Sequence, residues 1–339
     1  MPFGQGGLLM KKITGKHQID KYWGFSIIII FLLLASMGLL ACAPPKTPEF
    51  PSKAINIITG WTGGSTKFSE VIANEAGRIF GVPVEVIDKE GNGGIDSIEA
   101  FQVASQDGYT LICTNDLYAS SFAQGRIGVN PSKDWVTILI ANLSISQIYI
   151  LTDDQRYSNW DELLAYAKEH SGLKVATVGS SLDLEGLSIS SLERSFGIKL
   201  QQVSYGKAPE RYASLLGGQT DLLIEQPGDV KKFLDTRKFK PILSLWDEPV
   251  RGFEDVPTAG EKGADLVPLL RIRGLALPKG TPQDRIEKLK TVFHAAFESQ
   301  TFQQYLKDYT LDLLPYPDDP VAFMKEQVNA YKDLYESHR

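Results

Sequence analysis

Histidine and cysteine are scarce in this 339-residue chain, with four of the first and two of the second. His17, His170, His294 and His338 are scattered along it, and none stands beside a cysteine or a carboxylate pair at metal-ligand spacing. A metal centre is therefore not expected. No Gly-x-Ser-x-Gly elbow occurs, and the serines that follow strands read as hydrogen-bond donors rather than nucleophiles. Gly60 is followed by Ser65-Thr66-Lys67 instead of the Gly-Lys-Ser/Thr of a P-loop, and G-x-G-x-x-G is also missing. Catalytic residues, a nucleotide and a cofactor are all unexpected. A net charge of −6 provides no basic excess for nucleic acid.

What is present begins with an address. Lys11, Lys12, Lys16 and Lys21 precede an apolar run from Tyr22 to Leu40, the layout of an export signal over residues 1–41. Met10, directly before the lysine pair, is an alternative start, and an uncleaved membrane anchor is the competing reading of the run. Leu39-Leu40-Ala41-Cys42 resembles the lipobox of bacterial lipoproteins, which makes Cys42 the lipidated residue and 42–54, rich in proline, a tether. Loss of the leader removes four lysines and Asp20, so the mature chain carries a net charge of −9. Cys113 is then the one remaining thiol, read as a small buried hydrophobe with no disulfide partner. The expected location is outside the cytoplasm, anchored by lipid at the cell surface or in the periplasm.

Beyond the tether, Ile55 to Thr59 alternate as a strand, Gly60 to Thr66 form a loop, and from Phe68 the apolar spacing becomes helical. Phe68, Val71, Ile72, Ile79 and Phe80 fall on one predicted face, Ser65 or Thr66 supplies a cap, and Gly81 ends the helix. Free N–H groups at such a helix start suit an anion, and Lys67 adds a positive charge. Strands at Val84–Ile87 and Tyr109–Cys113 enclose a helix from Ile95 to Ser105. The stretch from Trp135 to Leu151 reads as one or two strands crossing between domains. A second unit of the opening type follows a capped helix at Asn159–His170. In it, Lys174–Val178 is a strand, Gly179-Ser180-Ser181-Leu182-Asp183 a polar loop and Leu184–Phe196 a helix. Further strands are predicted at Leu200–Val203, Asp221–Ile224, Pro241–Ser244 and Ile272–Ala276. Helices are predicted at Pro209–Leu216, from about Pro282 to Ser299 and from Pro320 to about Tyr335. Alternation of this kind predicts α/β architecture with parallel sheets, and two matching units predict two lobes facing a cleft.

Eight short segments, in order, resemble the tripartite tricarboxylate transporter substrate-binding family, the TctC or Bug receptors. They are Pro51-Ser52-Lys53-Ala54-Ile55, Gly63-Gly64-Ser65-Thr66, Gly91-Asn92-Gly93-Gly94, Asp107-Gly108-Tyr109-Thr110-Leu111, Val203-Ser204-Tyr205, Leu215-Leu216-Gly217-Gly218-Gln219-Thr220-Asp221, Asp255-Val256-Pro257-Thr258 and Gly280-Thr281-Pro282. The resemblance implies a two-lobed, type II periplasmic-binding-protein-like fold closing by a hinge motion, without catalysis. Residues 55–147 with about 268–339 would form one lobe and 148–267 the other. It further implies that Gly63, Gly64, Ser65 and Thr66 grip a small carboxylate anion from one side and Gly179, Ser180 and Ser181 from the other. Tyr205 and Glu225 would border the cleft, and Trp61 and Tyr118 are candidate walls. Its partners would be the large and small membrane subunits of the transporter, and we expect a monomer. An ATP-driven importer, a sensor kinase, a hydrolase and a structural lipoprotein are the competing readings.

One position departs from the pattern. Lys67 stands where the family usually has Asp, which points to a ligand with a second anionic group, to a latch between Lys67 and Asp183, or to a solvated surface lysine.

Overall fold

The structure, a computed structural model, describes residues 49–61, 63–266 and 269–337. The leader, the lipobox with Cys42 and most of the tether lie outside the described residues.

The opening unit forms as its spacing dictates. In β1 (Ile55–Thr59) Ile55 and Ile57 are fully buried, and α1 (Gly64–Phe80) buries Phe68, Ile72, Ala73 and Ala76. Gly81 ends the helix at φ 72°, a left-handed conformation that glycine adopts without steric cost. Ile79 is 48% exposed rather than buried, because Phe80 takes the inner side of the last turn and packs on Phe293 with ring centroids 5.9 Å apart. Neither Ser65 nor Thr66 caps the helix. The N-cap is Gly63, at φ 89° and without a side-chain cap, while the Thr66 hydroxyl donates to the Trp61 carbonyl at 3.2 Å.

From there the chain runs through β2 (Val84–Asp88), α2 (Ile95–Gln102), β3 (Thr110–Asn115), α3 (Asp116–Ala123), β4 (Trp135–Ser144) and β5 (Gln147–Leu151). It continues through α4 (Trp160–Glu169), β6 (Leu173–Thr177), α5 (Leu184–Phe196), β7 (Leu200–Ser204), α6 (Ala208–Leu216), β8 (Leu222–Glu225), α7 (Lys231–Asp235) and β9 (Phe239–Ser244). The last elements are β10 (Arg271–Pro278), α8 (Gln283–Phe297), α9 (Gln300–Asp308) and α10 (Pro320–Ser337).

Two five-stranded sheets result, ordered β2-β1-β3-β10-β4 and β7-β6-β8-β5-β9. They are mixed, not parallel as the alternation predicts. In the first, β1 runs parallel to β2 and β3 while β10 is antiparallel to both β3 and β4. In the second, β6 runs parallel to β7 and β8 while β5 is antiparallel to β8 and β9. The reversed strands, β5 and β10, are those by which the chain enters a sheet from the other lobe. Strand-helix alternation governs the return path within a lobe, not the direction of arrival across one.

Each sheet has its own core. Phe68, Ile72, Leu111, Phe293 and Phe302 belong to the first, Trp160, Leu163, Val175, Leu192 and Leu222 to the second. Large side chains of this kind contribute about 1.5–3 kcal/mol each when fully buried. A smaller cluster of Ala119, Leu184, Leu187, Val328 and Tyr331 joins α3 and α10 of the first lobe to α5 of the second. No helix among the described residues is long and apolar enough to cross a membrane.

Candidate functional site

A cavity of about 630 Å³ opens between the lobes. The first lobe contributes Trp61 and Gly63 of the loop after β1, Gly64, Ser65 and Lys67 of the first turn of α1, and also Asp116, Arg271, Arg273 and Tyr309. The second contributes Val178, the turn from Gly206 to Pro209, Arg211 and Tyr212, and the end of β8 with Glu225 and Gln226. A hollow of about 730 Å³ on the first lobe alone is lined by Ile98, Phe101, Val129 and Trp135, and its cations Arg126 and Lys279 are exposed. The interlobe cavity combines both lobes, a bare helix start and buried cations, so it is the candidate site.

The start of α1 is chemically open. Its first turn carries no acidic side chain and no side-chain cap, and among the described residues the first backbone bond of the helix runs from Lys67 N to Gly63 O at 2.9 Å. The amides before Lys67 are therefore outside the helical ladder, and the partial positive charge of the helix end is uncompensated by any neighbouring acid of that turn. Ser65 is buried and Lys67 exposed. Trp61 is half-buried between the cavity and Tyr118, with the two rings edge-on at 4.9 Å. Gly94 makes room for it, since a β-carbon there would meet the Trp61 ring.

The remaining expected positions are distributed as follows. Tyr118 lies in α3, is 1% exposed, and shares a hydrogen bond of 2.6 Å with Ser97, so it supports Trp61 from behind instead of lining the cavity. Gly179, Ser180 and Ser181 are not among the lining residues; the serines are exposed, and the wall next to them is Val178. Tyr205 is also away from the lining, half-buried beside Leu215 and Leu223, with its carbonyl accepting from Arg211 at 3.3 Å. Glu225 lines the cavity but is engaged, accepting from Arg211 Nε and Nη2 at 3.2 and 2.6 Å. Asp183 is taken up as well. It accepts from Ser120 Oγ at 2.6 Å, from Gln124 Nε2 at 3.0 Å and from Ser180 N at 2.6 Å, so a contact to Lys67 is not what holds it. Ser120 and Gln124 belong to the first lobe, and the Asp183 loop is thereby docked across the gap.

The residues that sequence reasoning passed over are the charged ones of β10. Arg271 donates to Asp116 Oδ2 at 2.5 Å and to Glu185, with both carboxylates inaccessible to solvent. Burial pushes the Glu185 carboxyl up to about 7 against the pull of Arg271. Burial likewise raises Asp229, with Arg273 pulling the other way. A signal for these existed in Arg271-Ile272-Arg273, since two charges at a spacing of two share one face of a strand. His170 stacks on Tyr166 at the surface, away from the cavity, and no metal-holding cluster occurs among the described residues.

Residues 69–338 match the family model described as the tripartite tricarboxylate transporter family receptor. The chain belongs to that receptor family. It is accordingly a receptor rather than an enzyme. A UPF0065 protein encoded in the gbd 5′ region of Cupriavidus necator is 30% identical over 288 residues, which is 83% of this chain and 86% of that one. Among solved structures, MatC of Rhodopseudomonas palustris with bound malate superposes with a TM-score of 0.73 at 22% identity, over 84% of this chain and 99% of that one. An adipate-bound protein of the same organism gives 0.72 at 18% identity, over 85% and 97%. The family receptor fold, two lobes about a cleft, is the one seen here.

Proposed function

We propose that the chain captures a small carboxylate anion in the interlobe cavity and delivers it to the membrane subunits of a tripartite transporter. The observation that carries this reading is the bare start of α1, which faces a cavity whose rim bears Lys67 from one lobe and Lys207 from the other. Neither lysine has an ion pair among the described residues, and an anion within reach of both would bridge the lobes and favour closure. Membership of the receptor family and the malate and adipate held by two proteins of the same fold support the choice of a carboxylate. Trp61, Gly63, Gly64, Ser65 and Lys67 are the proposed contacts on the first lobe. Thr66 belongs to the same first turn of α1 and ties it to Trp61, and Tyr118 holds the Trp61 wall in place. The Gly179–Asp183 loop acts from the second lobe by setting how the lobes meet, and Tyr205 holds Arg211 through its carbonyl. Lipidation at Cys42 would hold the receptor outside the cytoplasm, close to its permease.

The test is a thermal-shift screen of the detergent-solubilised chain against a carboxylate library that includes malate and adipate. A ligand at about a hundred times its dissociation constant should stabilise the fold by roughly 2.7 kcal/mol. No shift with any member overturns the reading.

A further inference from the structure

Three arginines face the cavity, and their pairing is unequal. Arg211 is held by Glu225, and Arg271 by Asp116 and Glu185. Arg273 is 8% exposed in its side chain, and its nearest carboxylate is Asp229 Oδ2 at 3.8 Å from Nη2, too far for a hydrogen bond. Its Nε is buried with no partner among the described residues. Nε and Nη2 form one edge of the guanidinium, the edge on which a carboxylate docks through two parallel bonds. A buried cation with that edge unfilled is costly, and the cost is relieved by an anion of matching shape.

Position reinforces chemistry. A β-carbon at Gly64 would stand 2.5 Å from the Arg273 guanidinium carbon, so the group lies against the first residue of α1, among the amides that precede the helical ladder. Arg273 belongs to the first lobe and Asp229 to the second, which makes their long contact a bridge across the gap. Lys67 and Lys207 are exposed at the rim, whereas Arg273 is deep. A ligand entering the cavity therefore meets the lysines with its outer end and Arg273 with its inner one.

We propose that Arg273 anchors the inner carboxylate of the ligand, exchanging its long contact with Asp229 for a two-point grip. This rests on the receptor reading above and adds to it a specificity-determining residue. The ligand then spans the cavity from the bare helix start to the rim, and the preferred class is a dicarboxylate.

Calorimetric titration of the full-length detergent-solubilised chain with succinate, malate and adipate tests it, using wild type, Arg273→Gln and Asp229→Asn. Expected is a loss of tenfold or more in affinity for Arg273→Gln, with Asp229→Asn binding at least as tightly as wild type because the competing carboxylate is gone. Binding by Arg273→Gln within twofold of wild type overturns the proposal, as does weaker binding by Asp229→Asn. Should circular dichroism find Arg273→Gln unfolded, Asp229→Asn decides alone on the same criterion. Wild type binding none of the three, while responding to some other carboxylate, overturns the dicarboxylate anchor and leaves the receptor reading standing; no response to any carboxylate overturns both.

Discussion

Gly228, in the turn after β8 of the second lobe, touches the backbone of Tyr309 in the first. A β-carbon there would overlap the Tyr309 carbonyl oxygen and stand 2.5 Å from its carbon. Backbone cannot yield as the tip of a side chain does, so Gly228→Ala must either strain this approach or part the lobes. Overpacking of this sort costs about 1–3 kcal/mol. We expect a larger radius of gyration by small-angle scattering and weaker anion binding. An unchanged radius with unchanged affinity would refute it.

Lys67 should select for the second charge of a ligand. Charge reversal in Lys67→Glu places an acid near the bare helix start and at the cavity rim, and should weaken dicarboxylates by about threefold to tenfold, given the modest strength of exposed charge interactions. Monocarboxylates should lose less. Equal effects on both classes, measured by calorimetry, would show the lysine to be merely solvated.

The buried Glu185 carboxyl makes stability depend on pH. Its folded pKa is about 7, above the ordinary 4.5, so the folded state holds this proton more tightly than the unfolded one. The stabilising contribution is complete below about pH 4.5 and is lost as pH rises through 7, a change of about 3 kcal/mol at most. Glu185→Gln lacks this titration. Urea unfolding at several pH values should show the variant gaining on wild type between pH 4.5 and 7, and a difference independent of pH would contradict the assignment.

Cys113 is inaccessible to solvent, and burial pushes its thiol up to about 11. Thiol reagents should label it at least about a hundredfold more slowly in the folded chain than in urea, since only the thiolate reacts. Rapid labelling under native conditions would mean that the first lobe opens locally.

The opening unit was legible in the sequence because its signals are local. Alternating isoleucines, two glycines and a change to helical spacing lie within about fifteen residues of one another, and β1 and α1 follow them. The helix α9 was missed although Ser299 caps it by accepting from Phe302 N at 3.1 Å, a signal hidden by the preceding helix ending two residues earlier. Arg273 could not be assigned a role from its surroundings in sequence. Its neighbours are Asp229, 44 residues earlier, and Gly64, 209 residues earlier, brought together only when β10 enters the first sheet. Local pattern carries elements well, whereas the pairing of charges is a property of the assembled lobes.

The place of β10 between β3 and β4 bears on how the molecule is made. Synthesis of the first lobe starts early, yet that lobe has a missing interior strand until residue 271 has left the ribosome, and β3 and β4 have no shared partner before then. The second sheet, drawn from residues 147–244, is complete sooner. Nascent chain is thus kept from finishing its first lobe through most of translation, and truncation anywhere before β10 abolishes the lobe carrying the bare helix start.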